Sequence, residues 1–190
     1  MIRVARKILR DDGFAALSVR HLASSLGVSR QVVYTHFDGM DGLLNALHRL
    51  GADLLAGDVA ALEETPGTDA HVLAAAQAYV DAARLRPALF ELVFSSPIPQ
   101  YTPTEETTAA SRASFEHIVA AAAAWLARRR SRAGDRRDAF RLARILWAQT
   151  HGHVVLEVAG HARPADTDRL VALAVGAVLR GWPDRACATE

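Results

Sequence analysis

The chain has 190 residues, 51% of them hydrophobic, which is enough for a sizeable core and excludes a disordered chain as the default. No apolar run reaches the length of a membrane span, and the N-terminus MIRVARKILRDDG is charged and periodic, unlike a signal peptide. The single cysteine, Cys187, excludes an internal disulfide and a cysteine-cluster metal site, and together these features leave a soluble cytoplasmic protein as the expectation; the net charge is +1.

That net charge hides an uneven spread. Residues 1–49 carry seven basic against four acidic side chains, residues 50–125 three against ten, and residues 126–190 twelve against seven. A basic head on an acidic middle suits a first segment that faces a polyanion. Of the 22 basic residues only Lys7 is a lysine, a bias associated with high-GC bacterial genomes.

Nearly every segment has helical periodicity. From Ile2 to Arg10, Ile2, Ala5, Ile8 and Leu9 share a face, with Gly13 placed to end the helix. In LSVRHLASSLG, Ser18 is the cap, Val19, Leu22, Ala23 and Leu26 keep helical spacing, and Gly27 stops it. Ser29 caps a third helix ending at Phe37, and Asp38-Gly39 breaks it. A longer helix runs from about 40 to 57, built on Leu43, Leu47, Leu50 and Leu54. The acidic turn segment EETPGTD, Glu63 to Asp69, is a linker.

Further helices are expected over about 70–86, over a short stretch opened by Pro87, and over about 105–132, 136–159 and 167–181. The stretch SSPIPQYTPT, with three prolines, must be a loop. The expected fold class is all-α with about nine helices. A three-helix domain over 1–48 comes first, the helix over about 40–57 connects, and a helical domain over 58–190 follows.

Ala23, Gly27 and Val33 form the sharpest constellation. In a helix-turn-helix the first helix needs a small inner residue, the turn a residue tolerant of positive φ, and the second helix a branched apolar anchor. With Val33 and Phe37 facing inward, Arg30, Gln31, Tyr34 and Thr35 are left outside. Arginine can bond guanine N7 and O6 together, glutamine can do the same with adenine, and a threonine methyl packs on thymine. Tyr34 and His36 suit phosphate, which positions rather than specifies. The exposed amides where helices start at Ser18 and near Met40 are further anion sites. A surface helix merely flanked by Tyr34 and His36 would show the same polar residues without the Ala/Gly/Val spacing.

Those residues carry a resemblance. Gly13-Phe14, Leu17-Ser18-Val19-Arg20, Leu22-Ala23, Leu26-Gly27-Val28-Ser29, Val33-Tyr34-Thr35-His36-Phe37 and Asp41-Gly42-Leu43-Leu44 together resemble the DNA-binding domain of tetracycline-repressor (TetR) family regulators, over about residues 2–50. FELVF (Phe90 to Phe94) and the segment from Leu146 through Trp147 and His151 to Gly152 resemble the WHG variety of that family's C-terminal domain. The resemblance implies a homodimer on a palindromic double-stranded DNA operator, usually a repressor, released when a small-molecule effector enters the C-terminal domain. It implies DNA contacts from Ser18, Arg20, Arg30, Gln31, Tyr34 and His36, to which the outward face of the third helix adds Ser29 and Thr35. No cofactor, catalytic residue or metal is implied. Two departures stand out: Met40 occupies a position where the family usually has a phosphate-contacting lysine, and the given sequence starts almost at the first helix, so a basic arm ahead of it either lies outside this sequence or is dispensed with. The lost charge should lower non-specific affinity through counterion release.

In the last helix Leu170, Leu173, Ala174, Ala177 and Val178 line one face while Val171, Val175 and Leu179 cover another. A helix apolar nearly all round must be buried on both sides. A homodimer through about 136–159 and 167–181 would bury it, as would a fully covered monomer helix. Tyr79, Phe90, Phe94, Tyr101, Phe115 and Trp147, with His151 as a polar group, could line a ligand pocket, or equally an ordinary core. A metal set of His117, His151 and His153 is disfavoured by separation and by the lack of a paired carboxylate. The run ARRRSRAGDRR, Ala127 to Arg137, lies at an expected helix-helix turn and is better taken as solvated than as a nucleic-acid patch. The competing function is a helical small-molecule-binding protein or enzyme without DNA binding. Against it stands the lack of a Ser/His/Asp set, carboxylate pair, phosphate loop or metal spacing.

Overall fold

A computed structural model describes residues 1–95, 98, 100–129 and 135–183. Outside them fall Cys187, part of the proline-rich loop and the centre of the arginine run. Among the described residues there are nine α-helices and no strand: α1 (Ile2–Asp12), α2 (Val19–Leu26), α3 (Arg30–Phe37), α4 (Met40–Ala60), α5 (Asp69–Leu85), α6 (Pro87–Phe94), α7 (Glu105–Arg129), α8 (Arg136–Val158) and α9 (Pro164–Gly181). A single 3-10 turn over Phe14–Ala16 follows α1, which the periodicity did not anticipate. The last helix opens at Pro164, earlier than its apolar pattern indicates, because proline is well tolerated at a first helical position. No helix is long and apolar enough to cross a membrane.

The described chain forms two compact units, and they do not follow chain order. Met1–Leu55 joins Ala82–Ser114, while Ala56–Asp81 joins the chain from Phe115 onward. The physical reason lies in the core of the first unit. Ala5, Ile8, Leu9, Leu22, Ala23, Val33, Leu43, Leu44 and Leu47 are buried together with Leu89 and Leu92 of α6 and with Tyr101.

A polar cluster holds the first unit at its other side. The Asn45 side-chain oxygen accepts from the Thr104 amide at 3.0 Å, and the Tyr101 hydroxyl lies 3.3 Å from both Asn45 Oδ1 and His48 Nδ1. His48 Nε2 reaches Ser111 Oγ at 3.0 Å. Burial lowers the His48 pKa and pushes the Tyr101 phenol up to about 12.

In the second unit Val72, Tyr79, Val80, Val119, Trp125, Leu126, Leu142 and Leu146 are buried, with Val171, Val175 and Leu179 of α9. The Trp125 indole donates to Asp69 Oδ1 at 2.6 Å, which gives a buried ring its polar partner. α8 and α9 pack extensively on each other.

Candidate nucleic-acid interface

Local chemistry builds the α2–α3 pair. The Ser18 hydroxyl accepts from the His21 amide at 3.1 Å, so α2 starts with a satisfied cap and that hydroxyl still has a proton to donate outward. Gly27 ends α2 in the left-handed region at φ 66°. The Val28 amide donates to the Ala23 carbonyl at 3.0 Å and the Gly27 amide to the Ser24 carbonyl at 3.1 Å. This is the Schellman closure, which a side chain at Gly27 would strain. α2 and α3 then pack closely, with Leu22 and Val33 both 0% exposed and Ala23 buried in the same core.

With Val33 the buried residue of α3 and Phe37 half-buried against the core, the remaining side is free. Arg30, Gln31, Tyr34, Thr35 and His36 are all exposed, as are Ser29 and Arg20, while Ser18 is half-buried at its cap. Thr35 Oγ1 donates to the Gln31 carbonyl at 2.9 Å, so its hydroxyl is committed to its own helix and its methyl is left outermost. Ser29 makes no side-chain cap bond, which leaves its hydroxyl available.

Val32, 36% exposed, also belongs to this surface, although its apolar side chain suggests the core. Helical geometry carries the signal: one residue before Val33, it turns away from the Val33–Phe37 face with Gln31 and Thr35. Its two methyls give the face an apolar element suited to a thymine methyl.

The turn from α3 into α4 is tight. Asp38 adopts the left-handed region at φ 55° and donates its amide to the Tyr34 carbonyl at 2.8 Å. Gly42, in the first turn of α4, sits so close to the Phe37 carbonyl that a Cβ would overlap it. Met40 is half-buried against the core, a position that an apolar chain fills and that an ammonium would leave for solvent.

Of the expected pocket residues, four come together in the second unit. The Tyr79 hydroxyl lies 2.8 Å from His151 Nδ1, and the Trp147 indole also hydrogen-bonds to Tyr79. The indole N–H can only donate, so the Tyr79 oxygen accepts there, and the Tyr79–His151 contact pairs one donor with one acceptor. Burial lowers the His151 pKa, consistent with a neutral ring, and raises that of Tyr79. Phe115 stands edge-on to Trp147 at 5.8 Å. A cavity of only about 20 Å³ lies beside this group, lined by Tyr79, Trp147, Thr150 and a set of alanines. Phe90 and Phe94, 4.8 Å apart, and Tyr101 lie in the first unit and are not part of that lining. Among the described residues no group of three or more His, Cys, Asp or Glu could hold a metal ion.

The α8–α9 pair exposes a different surface. Phe140, Ile145, Val155 and Leu156 on α8 and Leu170 and Leu173 on α9 are each at least 40% exposed.

Two family descriptions match the chain: "Bacterial regulatory proteins, tetR family" over residues 1–47 and "Tetracyclin repressor-like, C-terminal domain" over residues 72–178. An uncharacterized HTH-type transcriptional regulator of Mycobacterium tuberculosis is 29% identical over 168 residues, 88% of this chain and 73% of that protein. An HTH-type transcriptional regulator of Mycobacterium bovis is 32% identical over 112 residues, 57% of this chain and 48% of that one. Among solved structures, a protein of unknown function from a Rhodococcus species has a TM-score of 0.80 at 29% identity, covering 95% of this chain and 92% of the other. The TetR family regulator PfmR of Thermus thermophilus shares the fold, with a TM-score of 0.67 at 19% identity over 96% and 98% of the two chains.

Proposed function

Because the chain belongs to the TetR family and is a helix-turn-helix transcriptional regulator rather than an enzyme, we propose that it is an effector-released repressor acting in the cytoplasm as a homodimer on a palindromic operator. The observation that carries this reading is the two-sidedness of α3: one residue buried without remainder at Val33, and Arg30, Gln31, Tyr34, Thr35 and His36 all open to solvent. In the proposal, residues 1–48 read DNA and residues 58–190 bind effector and dimerise.

Arg30 and Gln31 read base edges, while Val32 and the Thr35 methyl pack on thymine. Ser18, Arg20, Ser29, Tyr34 and His36 hold phosphates and set the register. Two copies of α3 enter successive major grooves about 34–36 Å apart, which the symmetry of a dimer provides. The dimer forms through α8 and α9, whose exposed aliphatic chains support a second covered face. The effector enters beside Tyr79, Phe115, Trp147 and His151. A cavity of about 20 Å³ has room for little more than one water, so the effector must be admitted by an opened conformation. An effector that binds better when the two α3 helices are wrongly spaced draws the population off DNA.

The test is fluorescence anisotropy of the full chain against the DNA flanking its own gene, at several salt concentrations. Tight binding with a steep salt dependence and a preference over scrambled duplex is expected. Binding that ignores sequence would overturn the reading.

A further inference from the structure

α4 has two sides in the first unit. Leu43, Leu44 and Leu47 are buried in the core, while Asp41, Asn45, His48 and Arg49 follow one another at helical spacing along a second side. On that side Asn45, His48 and Arg49 each bond to the segment that opens α7. The Asp41 carbonyl can only accept, so the Asn45 amide nitrogen turns to it at 2.8 Å and the amide oxygen is left for Thr104 and Tyr101. Thr104 is itself the start of α7: its hydroxyl accepts from the Thr107 amide at 3.2 Å and its carbonyl from the Thr108 amide at 2.9 Å. His48, 4% exposed, sits between the Tyr101 hydroxyl and Ser111, and Arg49 pairs with Glu106.

This polar seam does what the core cannot. Contact between leucines is non-directional, whereas a hydrogen bond weakens steeply as its angle falls towards about 120°. Asn45 and His48 therefore fix the rotation and register of α4 against the first turns of α7. The first turn of α4 in its turn seats α3. The Leu43 amide reaches back to the Gly39 carbonyl at 3.3 Å, and Gly42 has no room for a Cβ beside the Phe37 carbonyl. A rotation of α4 is thus carried into α3. α7 runs on past Ser114 into the second unit, whose α8 and α9 carry the proposed dimer face.

We propose that Asn45, Tyr101 and His48 are positioning residues for DNA reading, and that their seam with Thr104 and Ser111 sets the half-site spacing the dimer accepts. The inference rests on the dimeric operator-binding reading above and adds to it the part of the chain that aims α3. These side chains act through α4 rather than by contact with DNA. Each base pair added between half-sites moves one of them by about 3.4 Å and turns it by about 35°. A loosely held α3 tolerates such changes and a firmly held one does not.

The experiment is anisotropy of the full chain against the tightest-binding duplex from the DNA flanking its own gene. Versions with one or two base pairs added to or removed from the centre are measured beside it. The wild type is expected to bind one spacing at least about tenfold better than its neighbours. Tyr101→Phe, which keeps the ring in the core, and Ser111→Ala should each narrow that preference to about threefold or less, and Asn45→Ala should abolish it. Affinity for the best duplex should fall by no more than about tenfold, with an unchanged salt slope, because no phosphate contact is lost. Ser111→Thr keeps the hydroxyl and should keep the preference, while Arg30→Ala should lower affinity and leave the preference as it is.

A merely structural role lowers the active fraction and scales every duplex alike. Spacing profiles parallel to the wild type's in all three variants would therefore overturn the proposal, as would a wild type indifferent to spacing. A second readout needs no DNA. The distance distribution between spin labels on Thr35→Cys of the two copies, in a Cys187→Ser background, should broaden in Asn45→Ala and in Tyr101→Phe; unchanged widths would also overturn it. Loss of sequence-dependent binding by the wild type itself would sink the operator reading instead, and the label distances would still judge the seam.

Discussion

α3 and α9 are both two-faced helices, and their outer faces differ in kind. α3 buries Val33 and turns guanidinium, amide, phenol and imidazole groups outward, whereas α9 buries Val171, Val175 and Leu179 and turns Leu170 and Leu173 outward. Exposed donors gain most from a partner whose surface carries acceptors in fixed positions, and exposed leucines gain most from a partner that removes water. One chain thus presents a surface suited to DNA and a surface suited to another protein. The difference is chemical rather than geometric, since both are single helix faces.

The largest expected effect breaks α3 from the inside. Val33→Asp places a carboxylate where no exposure remains, at a cost of about 4 kcal/mol or more. Operator binding should vanish in anisotropy while light scattering still reports a dimer; a monomer would show that the two faces do not act independently. Next comes α9 from the outside. Leu170→Glu with Leu173→Glu should raise the dimer dissociation constant by about a hundredfold or more, seen by sedimentation, with operator affinity falling alongside. An unchanged dimer would remove α9 from the interface.

A subtler pair sharpens the reading of α3 itself. Arg30→Ala should relax preference at one base pair by about 1–3 kcal/mol, and Tyr34→Phe should weaken all duplexes equally and by less. Uniform losses in both would abolish the division into reading and positioning residues. The smallest effect is in pH. His48 in one unit and His151 in the other both have pKa values lowered from 6.5 by burial. The unfolded chain therefore takes up protons before the folded one, so stability is full above about pH 6.5 and declines as pH falls through the window below it. Melting temperatures from pH 7.5 to 5.5 should show this decline, and His48→Gln and His151→Gln should each flatten it.

Much of the surface proposed to face DNA was legible because it is built by local rules. The Ser18 cap, the positive φ of Gly27 and the inward Val33 each depend on residues within one or two turns, and each is where the spacing placed it. Val32 was missed although helical geometry carried it, because a valine beside a buried valine is easily assigned to the core. What the pattern could not carry is long-range packing. Nothing in the periodicity of 82–114 says that Leu89 and Leu92 complete the core begun by α1, or that Tyr101 serves His48 and Asn45 rather than the Tyr79–His151 group. The aromatics were alike as residue types, and only tertiary structure divides them.

The close approach of Gly42 to the Phe37 carbonyl has a consequence for anyone recombining such regulators. A chimaera that grafts this reading head onto a foreign body would naturally be cut at the Asp38-Gly39 break. A donor body with a side chain at position 42 would then prise the first turn of α4 from the end of α3 and re-aim the head it was meant to carry. The practical seam lies after residue 42: the head is portable only together with the first turn of the helix that follows it.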